Sequence, residues 1–222
     1  PEAMSGPFVV AFVVGVTPAK WARVWGERMP RHPLTLLPTG DALAALDDGT
    51  AQVALTRLPV DAERFSVIPL YTEQAVVVAP KDHAIEALDA LTLADLADET
   101  VLVGEWAPTI ELVAANVGVT VLPQSVARAL SRRDVIARPV TDAPTTQVAL
   151  VWPIDAPSDL IDEFIGIVRG RTANSSRGQV AVPEEKPAAR PAAKPGAKSG
   201  AKPVARAGQK PRRGAPPRPR KR

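Results

Sequence analysis

The stretch FVVAFVVGVTPAKW, residues 8–21, decides the fold. Its first nine residues are continuously apolar and rich in β-branched and aromatic side chains, which is typical of a strand covered on both faces, as in parallel sheets. A helix is predicted to follow at once, because Thr17 can cap it, Pro18 suits its first turn and Pro30 stops it. The stretch therefore predicts one strand-helix unit of an α/β domain.

The same plan repeats along the chain. Residues 34–38 are the next predicted strand, residues 41–48 a helix that ends at Gly49, and residues 51–56 a third strand. Alternating strands and helices with short connections give right-handed crossovers and a mostly parallel sheet. Further strands are predicted at residues 67–71, 75–79, 101–103, 119–122, 135–139 and 148–152, with helices at 109–116, 124–130 and 158–171 and a short one that starts at the capping pair Thr92 and Asp95.

Charge divides the chain into two unlike parts. Of the 27 Lys/Arg and 24 Asp/Glu residues, 13 and 2 lie in residues 183–222, which leaves 14 basic and 22 acidic residues before them. The formal net charge of +3 is therefore an acidic body that offsets a strongly basic tail. An acidic body repels polyanions, so only the tail is predicted to contact nucleic acid.

The tail is predicted to be disordered from residue 173 to residue 222, because its Lys, Arg, Pro and Ala residues leave too little apolar surface to offset chain entropy. Its cations would bind phosphates by releasing counterions, which gives affinity without sequence preference. The tail has no aromatic side chain, so stacking on unpaired bases is not expected. The predicted nucleic-acid-binding residues are Lys186, Arg190, Lys194, Lys198, Lys202, Arg206, Lys210, Arg212, Arg213, Arg218, Arg220, Lys221 and Arg222.

The residues needed for common catalytic sites are scarce. The chain has no cysteine and only two histidines, His32 and His83, which lie in predicted loops. No glycine-rich phosphate loop follows a predicted strand. We therefore predict a protein that is not an enzyme and uses no cofactor or metal. The apolar stretch at residues 8–16 is too short to span a membrane and has no basic residue before it, which favours a cytoplasmic protein.

A binding site is predicted where the carboxyl ends of the strands meet the starts of the helices. In an open sheet this edge forms a crevice, and the free N-H groups of helix N-termini suit an anionic ligand. Ordinary capping is the alternative role for each of these residues taken singly. The candidate ligand-binding residues are Thr17, Thr39, Gly40, Thr56, Arg57 and Thr109.

Several segments, in their order along the chain, resemble the substrate-binding (effector) domain of LysR-type transcriptional regulators. They are GVTPAKW (residues 15–21), ALAALDDGTAQVAL (42–55), PLYTEQAVVVAPKDHA (69–84), LTLADLADETVLV (91–103), VGVTVLPQSVA (117–127) and QVALVWP (147–153). The resemblance implies a type 2 periplasmic-binding-protein fold, with an effector bound between two lobes. It also places the family's pocket residues at Thr17, at Thr39 or Gly40, and at Thr56, Arg57 and Thr109, and it implies side-by-side dimers.

The resemblance gives a domain plan with two departures. After a flexible segment at residues 1–7, lobe one comprises residues 8–80 and 143–171, lobe two residues 81–142, and the tail residues 173–222. The family's winged helix-turn-helix and linker helix are not found in this sequence, so direct sequence readout of DNA is not implied. Lobe two is also short between Gly104 and Thr109, where the family has a further helix and strand that form part of one cleft wall.

These observations predict a regulatory protein of transcription, in which a LysR-like domain senses a small anionic effector and the tail holds it on DNA. A homodimer and association with the nucleoid fit this prediction. The alternative is a nucleoid-associated or interaction protein whose ligand cleft is degenerate. A third class, a solute receptor for transport, is opposed by the missing signal peptide and by the basic tail.

Overall fold

The computed structural model describes residues 6–156 and 158–170 and folds them into an α/β structure with two sheets. Its strands are β1 (Phe8–Phe12), β2 (Leu34–Pro38), β3 (Val53–Arg57), β4 (Phe65–Glu73), β5 (Ala75–Pro80), β6 (Thr120–Pro123), β7 (Val135–Pro139) and β8 (Thr146–Pro153). Its helices are α1 (Ala19–Arg28), α2 (Ala42–Asp47), α3 (Trp106–Ala114), α4 (Gln124–Ala129) and α5 (Asp159–Val168). None of the helices in the described residues is long and apolar enough to cross a membrane.

The larger sheet has five strands in the order β2-β1-β3-β8-β4. Strand β1 is parallel to β2 and β3, whereas β8 is antiparallel to both of its neighbours, β3 and β4. The sheet is therefore mixed and not mostly parallel as the sequence predicted. The reason is that β4 does not pair with β3; β8 returns from the second sheet and inserts between them in the opposite direction.

The smaller sheet has three strands in the order β6-β5-β7, and β5 is antiparallel to both neighbours. Residues 75–80 were predicted to belong to lobe one, but this strand is the centre of the smaller sheet. All six of its residues are buried, a pattern that suits the centre of either sheet and does not identify which one. Below, lobe one is the part built on the five-stranded sheet, and lobe two is the part built on the three-stranded sheet.

Helices cover both faces of the sheet in lobe one. On one face, α1 and α5 pack through Trp25 and Phe164 against the aromatic ring of Phe8. The indole N-H of Trp25 donates to the backbone carbonyl of His32 at 2.6 Å, which satisfies the only polar group of this buried ring. On the other face, the small side chains of α2 and of β1, β3 and β8 allow close packing. The strand ends that carry the candidate site are thus fixed from both sides.

Alternation along β5 builds the two faces of lobe two. Val76 and Val78 pack against α3 and α4, while Val77 and Ala79 pack on the opposite face under the loops around Leu91. Val76 and Val78 are almost completely buried, so α3 and α4 pack closely against the central strand of lobe two.

Local differences from the predicted elements have simple causes. The first strand ends at Phe12 and not at residue 16, because the chain turns at Gly15, whose φ is +88°. Helix α1 is capped at Pro18 without a side-chain bond, so Thr17 is not its cap. The predicted strand at residues 101–103 contributes only one bridge, from Val101 to Val119. Residues 1–5 and the predicted tail at 173–222 lie outside the described residues. All thirteen candidate cations belong to this tail and therefore lie outside them too.

Candidate functional site

An open cleft of about 980 Å³ lies where the strand ends of lobe one face helix α4 of lobe two. Three of the six candidate residues, Thr17, Thr39 and Gly40, line it. Its other lining residues are Phe12, Val14, Gly15, Val16, Pro38, Tyr71, Ser125, Arg128 and Ala129. The cleft therefore combines a mainly apolar floor with hydroxyl groups and one guanidinium.

The wall from lobe one is formed by the turns that follow β1 and β2. The amide of Thr39 donates to the carbonyl of Phe12 at 3.0 Å, which ties the two turns together. The hydroxyl oxygen of Thr39 accepts the amide of Asp41 at 3.1 Å, and the Asp41 carboxylate caps α2 by accepting the amides of Leu43 and Ala44, each at 3.0 Å. Asp41, and not Thr39, is thus the capping residue, because it is the extended residue that directly precedes the helix.

The wall from lobe two is the exposed side of α4. Ser125 lies near the start of this helix and Arg128 in its last turn, and both line the cleft. Arg128 is exposed, and no ion-pair partner of its guanidinium lies among residues 6–156 and 158–170. It is therefore a positive charge that remains available to a ligand.

Arg57, the candidate at the end of β3, is occupied by contacts within the protein. Its Nε donates to the Glu73 carboxylate at 2.7 Å, and its Nη1 donates to the carbonyl of Val14 at 3.0 Å. The two charged side chains are only 9% and 4% exposed, so this ion pair is shielded from solvent. Arg57 does not line the open cleft.

The remaining two candidates lie inside the lobes. Thr56 is buried in β3, where it pairs with Ala149 of β8. Thr109 is buried in α3, and its amide donates to the carbonyl of Glu105 at 3.0 Å, so it lies within the helix and not at a free N-terminus. Neither residue lines the cleft, and their predicted role in ligand binding stays a prediction.

Tyr71 of β4 brings a phenol to the cleft. Burial raises the pKa of this phenol above its usual value, and the Glu73 carboxylate raises it further, while the Arg57 guanidinium partly opposes both effects. The hydroxyl is therefore neutral at physiological pH and able to donate a hydrogen bond.

Tyr71, Ser125 and Arg128 line the cleft but were not predicted from the sequence as site residues. For Ser125 a signal was present, since PQS follows a predicted strand and opens a predicted helix, which is the same junction that pointed to Thr17 in lobe one. Tyr71 and Arg128 lie within a strand and a helix, and no local pattern distinguishes them from other exposed side chains.

Comparison with known proteins relates this chain to one family. The family model described as LysR substrate binding domain matches residues 19–110 and 103–173. No curated protein matches the chain in sequence.

Solved structures share the fold at low sequence identity. A mutant OxyR from Corynebacterium glutamicum, bound to hydrogen peroxide, is 21% identical, with a TM-score of 0.60, and the match covers 76% of this chain and 68% of that chain. The effector binding domain of a BenM variant is 17% identical, with a TM-score of 0.63 and coverage of 73% and 93%. A mutant OxyR regulatory domain from Pseudomonas aeruginosa is 21% identical, with a TM-score of 0.59 and coverage of 75% and 97%. These likenesses establish a two-lobed architecture of the effector-domain type.

Proposed function

The chain belongs to the LysR substrate-binding domain family, and we propose that it is a non-enzymatic regulatory protein that acts in transcription. In this proposal a small anionic effector binds in the cleft between the lobes. The basic tail binds nucleic acid, principally DNA, without sequence preference. The protein acts in the cytoplasm, in association with the nucleoid.

One observation carries the effector half of the proposal: Arg128 lines the cleft as a cation with no ion-pair partner in the described part of the chain. Thr17 and Thr39 line the same cleft, together with apolar side chains that include Phe12, Val14 and Val16. A ligand with an apolar body and one negative group complements this arrangement, because the anion pairs with the guanidinium while the body displaces water from the floor.

Benzoate is a suitable first probe, since a BenM effector binding domain with the same fold was solved with its effector benzoate. We expect benzoate to raise the melting temperature of the full chain and of Arg133→Gln, which removes an exposed cation outside the cleft. Arg128→Gln should lose most of this shift. Equal shifts in the two variants would contradict the assignment of Arg128, and a survey of other small carboxylates and phosphates extends the test if benzoate itself is not bound.

The tail half of the proposal rests on charge. Thirteen Lys/Arg residues lie in residues 183–222, whereas the residues before them include more acidic than basic side chains. We therefore expect the tail to make the contacts with phosphate groups. We expect the full chain to bind unrelated DNA duplexes equally, with affinity that falls steeply between low and high salt. A chain without residues 178–222 should lose this binding while it keeps the thermal response to a cleft ligand. Equal DNA binding by the truncated chain would contradict this half.

A second candidate function is a nucleoid-associated or interaction protein whose cleft takes no ligand. The observation in its favour is that Arg57, at a position of the family's pocket, is paired with Glu73 and does not reach the cleft. This candidate predicts DNA binding through the tail with no thermal shift from any small anion. The two functions are thus separated by ligand response, and both predict binding to DNA.

Dimerisation is the remaining element of the proposal. We expect the full chain to sediment as a homodimer, as the family resemblance implies. Sedimentation at the mass of one chain of 23.4 kDa at micromolar concentration would contradict it.

A further inference from the structure

A buried ion pair joins the ends of two strands of lobe one next to the cleft. Arg57 is the last residue of β3 and Glu73 the last residue of β4. The Arg57 Nε lies 2.7 Å from one carboxylate oxygen of Glu73, and its Nη2 lies 3.4 Å from the other, so the pair is bidentate. Strand β8 separates β3 from β4 in the sheet, and the pair spans this gap at the sheet edge.

The same ion pair also contacts lobe two. The Arg57 Nη2 donates to the hydroxyl oxygen of Ser125 on α4 at 3.0 Å, and that hydroxyl donates to the Glu73 carboxylate. The guanidinium lies over the ring of Trp106 on α3, 5.0 Å from the ring centre. Both helices belong to lobe two, so a charge pair of lobe one is closed by side chains from the opposite lobe.

Backbone packing brings the lobes together at the same place. A Cβ atom added at Gly15, in the turn after β1, would lie 2.5 Å from the Ser125 hydroxyl and 2.9 Å from the Val126 amide nitrogen. Only a residue without a side chain permits this approach. The carbonyl of Val14, next to Gly15, accepts the Arg57 Nη1, so the turn and the ion pair form one contact region.

The energetics of this region favour contact between the two lobes. Two buried charges are costly unless every polar group around them is satisfied. Here the three nitrogens of the guanidinium donate four hydrogen bonds, and Ser125 and Trp106 provide contacts that lobe one alone cannot supply. Separation of the lobes would expose the pair and break the contacts with α3 and α4.

We propose that Arg57, Glu73 and Ser125 form a latch that holds the two lobes together without a ligand. In this latch the Glu73 carboxylate is a built-in anion, because it occupies the position beside Arg57 that an anionic ligand would otherwise take. Arg57 is then a positioning residue, because it holds the Val14 carbonyl and the Ser125 hydroxyl, and both of these residues line the cleft. The latch does not depend on whether the cleft binds an effector.

Chemical rescue tests the role of Glu73. Glu73→Ala leaves Arg57 unpaired beside a space of carboxylate size, and we expect its melting temperature to fall by about 10 °C, because removal of one partner leaves a buried charge uncompensated. Sodium propionate should restore part of this loss, and sodium chloride at the same ionic strength should not. Glu111→Ala, which removes an exposed carboxylate of α3, should show neither effect. If propionate and chloride raise the melting temperature of Glu73→Ala equally, the proposal that Glu73 acts as a built-in anion is overturned.

Distance measurements test the latch itself. The chain has no cysteine, so spin labels can be placed at Glu27→Cys on α1 and Glu111→Cys on α3, both exposed. We expect one narrow distance distribution in the doubly labelled full chain. Ser125→Ala, which retains the ion pair and should fold, removes the hydrogen bonds that join the pair to α4 and should broaden the distribution.

Glu73→Ala should broaden the distribution further, and propionate should narrow it again. Unchanged distributions in both variants would overturn the proposal, because the lobes would then be held by other contacts. The proposal would also be overturned if the distance distribution of Ser125→Ala keeps the width of the parent chain while propionate rescues Glu73→Ala. The ion pair would then act within lobe one alone.

Discussion

The close approach of Gly15 to α4 gives a prediction with an internal control. Gly15→Ala adds a methyl group in a left-handed conformation, at φ +88°, and places it 2.5 Å from the Ser125 hydroxyl. Gly49→Ala adds the same group at φ +74°, where no atom lies within 4 Å of the new Cβ. The two substitutions therefore share the backbone strain and differ in the steric contact between the lobes.

The expected magnitudes follow from these two contributions. Backbone strain for a residue with a Cβ costs about 1–2 kcal/mol, and forcing an additional methyl group into packed atoms costs about 1–3 kcal/mol more. Gly49→Ala should thus lower the free energy of unfolding by about 1–2 kcal/mol, and Gly15→Ala by about 2–5 kcal/mol. For a chain of this size each kcal/mol corresponds to a decrease of about 2–4 °C in the melting temperature.

Thermal unfolding followed by circular dichroism measures both variants against the parent chain. The spin-label distances described above show whether Gly15→Ala also moves the lobes apart. If Gly15→Ala and Gly49→Ala lower the melting temperature equally, the turn after β1 does not contact α4 in solution. The lobes would then lack the direct contact at this turn on which the expected difference rests.

Three further predictions concern the stability of lobe one and of the loops. Trp25→Phe loses the hydrogen bond from the indole to the His32 carbonyl and should lower the free energy of unfolding by about 1–3 kcal/mol, measured by urea denaturation. Phe164→Ala removes a fully buried ring and should cost about 3–5 kcal/mol in the same assay. Hydrogen bonds from Thr50 and Thr92 hold the pKa values of Asp48 and Asp95 below the ordinary carboxyl value of 3.8. The two ionised carboxylates therefore stabilise the folded chain fully above pH 3.8, and this stabilisation is lost as the pH falls through their pKa values in the folded state. When the pH is lowered from about 5 to about 3, the melting temperature of the double variant with Asn at both positions should therefore decrease less than that of the parent chain.

The order of the elements could be predicted from the sequence because each depends on local patterns. The apolar run at 8–12, which is rich in β-branched and aromatic residues, and the apolar spacing of α5 specify strand and helix without reference to the rest of the chain. The rule that ligands bind at the carboxyl ends of parallel strands pointed to Thr17, Thr39 and Gly40. The structure brings these three to one cleft, and their role in ligand binding stays a prediction.

The pairing of distant segments could not be predicted in this way. Glu73 and Ser125 are separated from Arg57 by 16 and 68 positions, so no periodicity relates them. The sheet to which β5 belongs was misassigned for a similar reason, because six consecutive buried residues suit any central strand. Thr109 was expected near a free helix end, but α3 begins at Trp106, since Pro108 is compatible with the first turn of a helix.

The position of β8 between β3 and β4 has a consequence for synthesis of the chain on the ribosome. Within residues 6–156 and 158–170, strand β4 has β8 as its only neighbour in the sheet, and β8 begins 73 positions after Glu73, at Thr146. The sheet of lobe two is built from β5, β6 and β7, so the nascent chain can complete it before lobe one receives β8, the strand that joins β3 to β4. If synthesis pauses before Thr146, the nascent chain exposes the unpaired hydrogen-bonding edges of β3 and β4. Unpaired strand edges of this kind are the surfaces that chaperones and aggregating chains recognise.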